Sequence, residues 1–317
     1  MKINFILMKG VVIKSTGSLC QVLSDNKKQY SCKVKGKNRL LDLDFTNPIT
    51  VGDSVEFTFD AQNNIGVIDK IYDRKNYIIR KSVNLSHKSQ VIASNIDLAL
   101  LIVTINNPTT SLNFIDRFLI QAEAYGIESK LVFNKIDLHD KKTREKKLKY
   151  QKIYEGIGYQ TISTSIYDAD KALEIKEFLK NKVTVLTGHS GVGKSSLINL
   201  IDNKLQLKTK NISDYHNQGV HTTTYTEMFP LDFGGYIIDT PGIKGLGLID
   251  IDMHLLAGYF PEMTYHSDNC KFKNCIHIKE PDCAVLDAIE NNLISKSRYK
   301  SYLSMLEENT NYRRNNY

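Results

Sequence analysis

The stretch Gly188-His189-Ser190-Gly191-Val192-Gly193-Lys194-Ser195-Ser196 decides the fold of the middle of this chain. It fits the pattern G-x-x-x-x-G-K-[ST], in which glycines let backbone N–H groups turn inward around phosphate oxygens. The preceding run Val183–Thr187 is apolar and β-branched, which predicts a buried strand, and Ser196–Ile201 has a helical pattern. Because strand, loop and helix follow in this order, we interpret the stretch as a phosphate-binding loop at the positive end of a helix dipole. A chance glycine-rich turn explains the flanking elements less well.

Within this loop, Lys194 is expected to contact the β- and γ-phosphates, and Ser195 to place its hydroxyl on Mg²⁺. Asp239-Thr240-Pro241-Gly242 follows the apolar run Tyr236–Ile238 and matches D-x-x-G, whose carboxylate holds Mg²⁺ through water and whose glycine N–H meets the γ-phosphate. Either of these could be a plain turn by itself. Between loop and D-x-x-G lies His221-Thr222-Thr223-Thr224, the place for a metal-sensing threonine, of which we favour Thr223. The residues expected to take part in catalysis, with the general base unknown, are Lys194, Thr223, Asp239 and Gly242.

A second motif indicates which base the nucleotide carries. Asn134-Lys135-Ile136-Asp137 follows a strand that ends at Phe133 and matches N-K-x-D. The Asp137 carboxylate accepts two hydrogen bonds from guanine N–H groups, which adenine does not offer, so a buried acceptor would stay unpaired with the wrong base. Lys135 is expected to lie over the base and to brace the phosphate loop, while Ser163-Thr164-Ser165 presents backbone N–H groups to the guanine oxygen. Alone each motif has an ordinary turn composition; together they predict GTP rather than ATP.

The order of these motifs is their most specific property. In ordinary GTPases the phosphate loop, the switch threonine and D-x-x-G come first and the guanine motif comes last, whereas here Asn134–Asp137 precedes the phosphate loop. This order predicts a circularly permuted GTPase. Permutation leaves a folded sheet and its pocket unchanged where the ends of a domain lie close together.

Four residues near the carboxyl end have the spacing of a metal site: Cys270-x4-Cys275-x-His277-x5-Cys283. Three thiolates and one imidazole complete a tetrahedral Zn²⁺ site without an open position for water, which is the structural type. The alternative is three buried cysteines and a surface histidine, but clustered cysteines are uncommon in a reducing compartment. Few apolar residues surround the cluster, so zinc is expected to replace a missing core.

The rest of the chain completes a three-domain organisation. With 317 residues the chain is too long for a single core. Residues 8–72 alternate as about five short strands, which indicates a small β-barrel, either an oligonucleotide/oligosaccharide-binding (OB) fold or an SH3-like barrel. Beyond residue 95, strands alternate with amphipathic helices, which predicts a doubly wound, mostly parallel sheet. We place the OB-fold barrel at 1–74, the permuted GTPase domain at 75–247 and a mainly α-helical zinc-binding domain at 248–317.

Charge and composition bear on partners. The formal net charge of +7 favours polyanionic partners, although charge of this size also serves solubility alone. One basic edge of the barrel is a candidate RNA surface, or else an ordinary solvated surface: Lys27, Lys28, Lys33, Lys35, Lys37 and Arg39. The sequence has neither an apolar run of membrane-spanning length nor a secretion leader. We therefore expect a cytoplasmic monomer that binds no membrane.

The combination of barrel, permuted GTPase motifs and Cys-Cys-His-Cys site resembles the RsgA family of small ribosomal subunit biogenesis GTPases over nearly the whole chain. The resemblance implies a GTP-dependent factor of late 30S maturation that binds the subunit and its rRNA and leaves after hydrolysis. Ile243 stands where Ras-type enzymes have a catalytic glutamine, as in the family. The segment 246–250 lacks the histidine that some relatives carry there, and His221 or His254 are weaker candidates for that role.

Two other functions are compatible with these residues. One is a nucleotide-gated RNA-binding module whose turnover is incidental, and the other is a different translation-associated GTPase. Lys194, Ser195, Asp137 and Asp239 are all intact, which favours a hydrolase, since a binding-only descendant is expected to lose at least one of them. The translation-factor alternative lacks an additional catalytic domain.

Overall fold

Thirteen strands and seven α-helices form the part of the chain that the computed structural model describes, which comprises residues 5–16, 19–34, 47–81, 89–205, 226–239, 252 and 254–314. Eleven of the strands make one continuous sheet. No helix among these residues is long and apolar enough to cross a membrane.

Five strands close into a barrel near the amino end: β1 (Phe5–Ser15), β2 (Leu19–Ser24), β3 (Gln29–Val34), β4 (Ser54–Asp60) and β5 (Ile65–Ile71). They pair in the order β1-β2-β3-β5-β4, and β4 pairs back onto β1. Because β5 lies beside β3, in parallel, this is the Greek-key order of an OB-fold and not a meander. Alternate side chains fill the interior, among them Val22, Phe57 and the buried pair Cys20 and Cys32.

A hairpin that the sequence pattern did not predict follows the barrel, formed by β6 (Tyr77–Lys81) and β7 (Ser89–Ser94). Arg74 leads into it and donates to the fully buried Asp53 carboxylate through Nε (2.7 Å) and Nη2 (2.9 Å). Ser94 donates to the same carboxylate at 2.7 Å. Asp53 therefore ties the barrel to Arg74 and to the hairpin strand β7.

The central sheet has helices on both faces. Its elements are β8 (Leu98–Val103), α1 (Leu112–Ala124), β9 (Glu128–Phe133), α2 (Lys141–Glu155), β10 (Gln160–Ser163), α3 (Ala169–Leu179), β11 (Val183–Thr187), α4 (Lys194–Ile201), β12 (Glu227–Pro230) and β13 (Tyr236–Asp239). The strand order is β10-β9-β8-β11-β13-β12, parallel except for β12. All six residues of β8 are buried, as its uninterrupted apolar sequence requires of a strand covered on both sides.

The barrel and the central sheet are joined edge to edge. Strand β12 pairs antiparallel with β1 at Glu227 and Lys14, and the Lys14 Nζ lies 3.4 Å from the Glu227 carboxylate. The edge strand of the central sheet is therefore covered rather than exposed.

The carboxyl-terminal part is helical, with α5 (Pro261–Ser267), α6 (Ala284–Glu290) and α7 (Lys296–Arg314). The prediction that it lacks an apolar core is wrong. Phe260, Met263 and Tyr302 are fully buried in one cluster with Cys283 and with Ile120 of α1. This core could not be predicted from the sequence, because its residues come from separate short elements and from a helix of the central domain.

Candidate nucleotide site and metal centre

The sequence motifs assemble at one edge of the central sheet. Strands β8, β9, β10, β11 and β13 run parallel, and ligands of such sheets bind beyond the carboxyl ends of the strands. Asn134–Asp137 follows β9, Ser163–Ser165 begins at the last residue of β10, and Gly188–Ser196 follows β11. Topology alone therefore brings these three motifs together.

The phosphate loop has the backbone that its glycines allow. Helix α4 begins at Lys194, capped by Gly193 at φ +94°. A Cβ on Gly188 would lie 2.6 Å from the Ile102 carbonyl oxygen, so a side chain there would collide with strand β8. Lys194 Nζ donates to the carbonyls of Gly188 (2.6 Å) and His189 (2.9 Å), which holds the ammonium over the mouth of the loop.

The base motif braces the phosphate loop directly. Asn134 Nδ2 donates to the Val192 carbonyl at 2.9 Å, and Lys135 Nζ donates to the Gly191 carbonyl at 2.6 Å. Asn134 is 1% exposed, and its Oδ1 has no hydrogen-bond partner. Buried polar atoms are normally paired, so this acceptor fits a ligand that donates a hydrogen bond. The Asp137 side chain is exposed, beside this position.

The loop Ser163–Ser165 is fixed by backbone and side-chain hydrogen bonds. Thr164 N donates to the Phe133 carbonyl at 2.8 Å, and Ile136 N donates to the Thr164 carbonyl at 3.3 Å. Ser163 Oγ accepts from Lys147 Nζ at 2.9 Å. Thr164 and Ser165 are buried, so the loop lies against the base motif as a single unit.

Several residues at this edge escaped sequence reasoning. Asn107 accepts from Lys135 Nζ at 2.8 Å through its carbonyl, and the ring of Phe114 packs on the ring of His189 with centroids 4.1 Å apart. His139 is 7% exposed, and its Nδ1 lacks a partner. Asn107, Phe114 and His139 lie in no motif of fixed spacing, although His139 follows Asp137 closely enough to be suspected.

Burial shifts the pKa values of three groups here. Desolvation lowers the pKa of Lys135 against the opposing pull of Asp137. Desolvation, aided by the Lys194 charge, lowers the pKa of His189, and desolvation followed by the Lys147 charge lowers that of His139. Both shifts favour the neutral form of the imidazole.

The metal-binding side of the site is only partly within the described residues. Ser195 and Ser196 occupy the first turn of α4 and are half-buried. Asp239 ends β13 beside Leu186 of β11, which places it next to the phosphate loop. Thr223 and Gly242 lie outside the described residues.

The Cys-Cys-His-Cys cluster forms a compact centre in the carboxyl-terminal part. Its four ligand atoms all lie within 4.8 Å of one another. Cys275 and Cys283 Sγ atoms are 3.6 Å apart, and those of Cys270 and Cys283 are 3.9 Å apart. Thiolates bound tetrahedrally to zinc at ~2.3 Å lie about 3.8 Å apart, so the donors and their spacing fit Zn²⁺.

A carboxylate organises the loop that presents His277. Glu280 accepts from the backbone N–H groups of Ile276 (2.8 Å), Ile278 (2.8 Å) and Lys279 (3.0 Å). Desolvation opposes the ionised form, but these N–H groups prevail and lower the pKa of Glu280 to about 2. Tyr299 donates its hydroxyl to the His277 carbonyl at 2.8 Å, which anchors the loop to α7.

Comparison with known proteins bears on the same regions. Residues 71–249 match the family model described as RsgA GTPase, and residues 9–68 match the RsgA N-terminal domain. A protein of Flavobacterium psychrophilum named small ribosomal subunit biogenesis GTPase RsgA is 52% identical over 95% of this chain and 93% of its own length. A Bacteroides fragilis protein of the same name is 50% identical over 95% of this chain and 97% of its own.

Two solved structures have the same overall fold. YjeQ from Thermotoga maritima is 35% identical with a TM-score of 0.76, and the match covers 96% of this chain and 98% of that one. YloQ, described as a circularly permuted GTPase, is 28% identical with a TM-score of 0.72 over 97% and 96%. The permuted architecture expected from motif order is thus confirmed.

Proposed function

Because the chain belongs to the RsgA family of small ribosomal subunit biogenesis GTPases, we propose that it hydrolyses GTP at residues 188–196 and that the 30S subunit accelerates this hydrolysis. The junction between base motif and phosphate loop carries the proposal. Asn134 and Lys135 each donate to a loop carbonyl, so base recognition and phosphate geometry form one unit.

In this site Asp137 accepts hydrogen bonds from the guanine N–H groups, and Asn134 reaches the opposite edge of the base. Lys194 and the loop N–H groups hold the phosphates. Ser195 and Thr223 would bind Mg²⁺, with Asp239 holding it through water, and this ion neutralises charge that develops on the phosphates.

Slow intrinsic turnover follows from the sequence after D-x-x-G. Ile243 cannot orient water by hydrogen bonding, and even enzymes with a glutamine there turn over at only about 10⁻⁴ s⁻¹ until a partner completes the site, which raises the rate by up to ~10⁵-fold. A chemical group of the bound 30S subunit is the simplest source of the missing hydrogen bond to the attacking water.

One exposed basic surface, on the barrel, supports binding to ribosomal RNA. Lys27, Lys28 and Lys33 are exposed on β2–β3 of the barrel, and the barrel strands continue into the edge of the GTPase sheet. Lys35, Lys37 and Arg39 lie outside the described residues. One structural zinc per chain, held by Cys270, Cys275, His277 and Cys283, would keep the third domain in the shape that docks.

We further propose a cytoplasmic monomer. Reduced thiolates available for zinc suit a reducing compartment. The domain limits at 74/75 and 247/248 are proposed with it, supported at the first by the change from barrel to hairpin near Arg74.

Steady-state GTP turnover tests the proposal at fixed salt, with the protein alone, with 30S subunits and with 50S subunits. We expect 30S subunits, and not 50S subunits, to stimulate turnover. We also expect the protein to bind the 30S subunit more tightly with a non-hydrolysable GTP analogue than with GDP. Equal turnover in the three mixtures, or equal affinity in both nucleotide states, contradicts it.

A further inference from the structure

Helix α1 has one end against the phosphate loop and one face in the carboxyl-terminal domain. Its first turn carries Phe114, whose ring lies 4.1 Å from the His189 ring, centroid to centroid, at 34°. His189 belongs to the loop itself, and its carbonyl accepts from Lys194 Nζ at 2.9 Å. His189 alone therefore connects Phe114 to Lys194, the residue expected to bind the phosphates.

The same helix is held by a buried charge network. Asp116, fully buried, accepts from Arg298 Nη1 at 2.8 Å and from the Tyr154 hydroxyl at 2.8 Å. Arg298, 1% exposed, also donates to Glu262 through Nε (2.7 Å) and Nη2 (3.2 Å). Arg298 lies on α7 and Glu262 on α5, so this network joins two helices of the carboxyl-terminal domain to α1.

Two further contacts fix α1 along its length. Ile120 is fully buried in the core that contains Phe260, Met263 and Cys283. Arg117 pairs with Glu308 of α7. Phe114, Arg117 and Ile120 follow each other at intervals of three residues, so the carboxyl-terminal domain holds α1 within about two turns of the loop contact.

We propose that Phe114 is a positioning residue for the phosphate loop and that the carboxyl-terminal domain sets the loop's affinity for the nucleotide through Asp116, Arg298 and Glu262. The aromatic pair holds His189 in place, and the buried network holds the helix that carries Phe114. This inference rests on the proposed GTP site. It adds a route by which docking of the carboxyl-terminal domain on a partner would change the phosphate loop's affinity for the nucleotide.

The first test measures GTP and GDP affinities of the full chain, using fluorescent nucleotide analogues, for Phe114→Leu and Phe114→Tyr. An aromatic pair contributes enough that its loss should weaken binding about two- to tenfold. Phe114→Tyr keeps the ring and should restore wild-type affinity. Phe178→Leu is the matched control, because Phe178 is likewise half-buried on a helix of the same domain and packs against Lys130 instead.

Turnover separates positioning from general damage. If Phe114→Leu weakens binding of the ground state and of the transition state equally, KM should rise and kcat should stay within about twofold of the wild-type value. Unchanged nucleotide affinity in Phe114→Leu, or an equal loss in Phe178→Leu, overturns the proposal. A wild-type protein that binds no GTP would instead refute the proposed function.

A double-mutant cycle tests the connection to the third domain. Glu262→Gln should weaken nucleotide binding severalfold in the wild-type background and clearly less in Phe114→Leu, since the route is already broken there. Arg117→Gln, at the partly exposed pair with Glu308, provides the same cycle if Glu262→Gln does not fold. If the losses of nucleotide affinity are additive in whichever of the two cycles can be measured, the coupling is refuted.

Discussion

Gly193→Ala tests whether base recognition and phosphate binding share one structure. Gly193 has φ +94°, and a Cβ there would lie 2.5 Å from Asn134 Nδ2. The amide would be displaced, and its 2.9 Å hydrogen bond to the Val192 carbonyl would break. We therefore expect weaker binding of every guanine nucleotide, GDP included.

The magnitude follows from two contributions. A left-handed backbone conformation costs a non-glycine residue about 1–2 kcal/mol, and the broken hydrogen bond contributes about 0.5–1.5 kcal/mol. We assign both costs to the nucleotide-bound loop, because contacts to the phosphates would hold it in this geometry. Together they correspond to about 10- to 300-fold weaker affinity.

Gly158→Ala provides a control for the same backbone strain placed away from the nucleotide site. Gly158 has φ +96°, almost the same as Gly193, but a Cβ there meets nothing within 4 Å. Thermal unfolding should show the backbone strain in Gly158→Ala, and nucleotide titration should show no change in affinity. Equal nucleotide affinities in the two variants would refute the argument.

Three further predictions concern the base, the metal and RNA. Asp137→Asn exchanges one acceptor for a donor, so XTP affinity should rise and GTP affinity should fall by about 10- to 100-fold, the effect of removing a charged hydrogen bond; unchanged affinities in titration would exclude this base assignment. Elemental analysis should find one zinc per chain, and Cys275→Ala should release it while GTP binding persists within about tenfold, because the apolar core that the domain shares with Ile120 of α1 remains; complete loss of nucleotide binding would contradict this expectation. Lys28→Glu with Lys33→Glu should weaken subunit binding and reduce its salt slope by roughly 0.7–0.9 for each phosphate that the lysines no longer neutralise, and an unaltered slope would remove the barrel as an RNA surface.

The sequence predicts the central site well because its determinants are local. Gly188–Ser196 specifies strand, loop and helix within about twenty residues, and the observed β11 (Val183–Thr187) and α4 (Lys194–Ile201) follow that pattern. The zinc ligands Cys270, Cys275, His277 and Cys283 follow one another closely in the chain, so their spacing alone indicates the centre. Motif order, which is also a linear property, predicted the permutation.

Long-range features were beyond such reasoning. The choice between an OB-fold and an SH3-like barrel depends on whether the fifth strand pairs with the third, and alternation along each strand is the same in both. Asp53 and Arg74 resemble surface charges in the sequence, yet they form a buried pair. Arg298 and Asp116 are separated by 182 residues and pair only because two domains meet. The hairpin β6–β7 was not predicted, because charged and polar residues mask its short alternation.

The permutation has a mechanical consequence that the strand pairings make concrete. Strand β13 ends at Asp239, from which the chain continues towards the carboxyl-terminal helices, and its neighbour β12 is paired with β1 of the barrel through Glu227 and Lys14. The D-x-x-G segment therefore begins at a strand whose neighbours are β12, which pairs with the barrel, and the phosphate-loop strand β11. In a GTPase that is not permuted, this segment leads into the next strand of its own sheet. Under the proposed function, a change at the γ-phosphate would act on a segment that leads along the chain into another domain, and coupling of this kind is reciprocal. A ribosomal partner that holds the barrel and the zinc domain would consequently bias the same segment that the nucleotide biases.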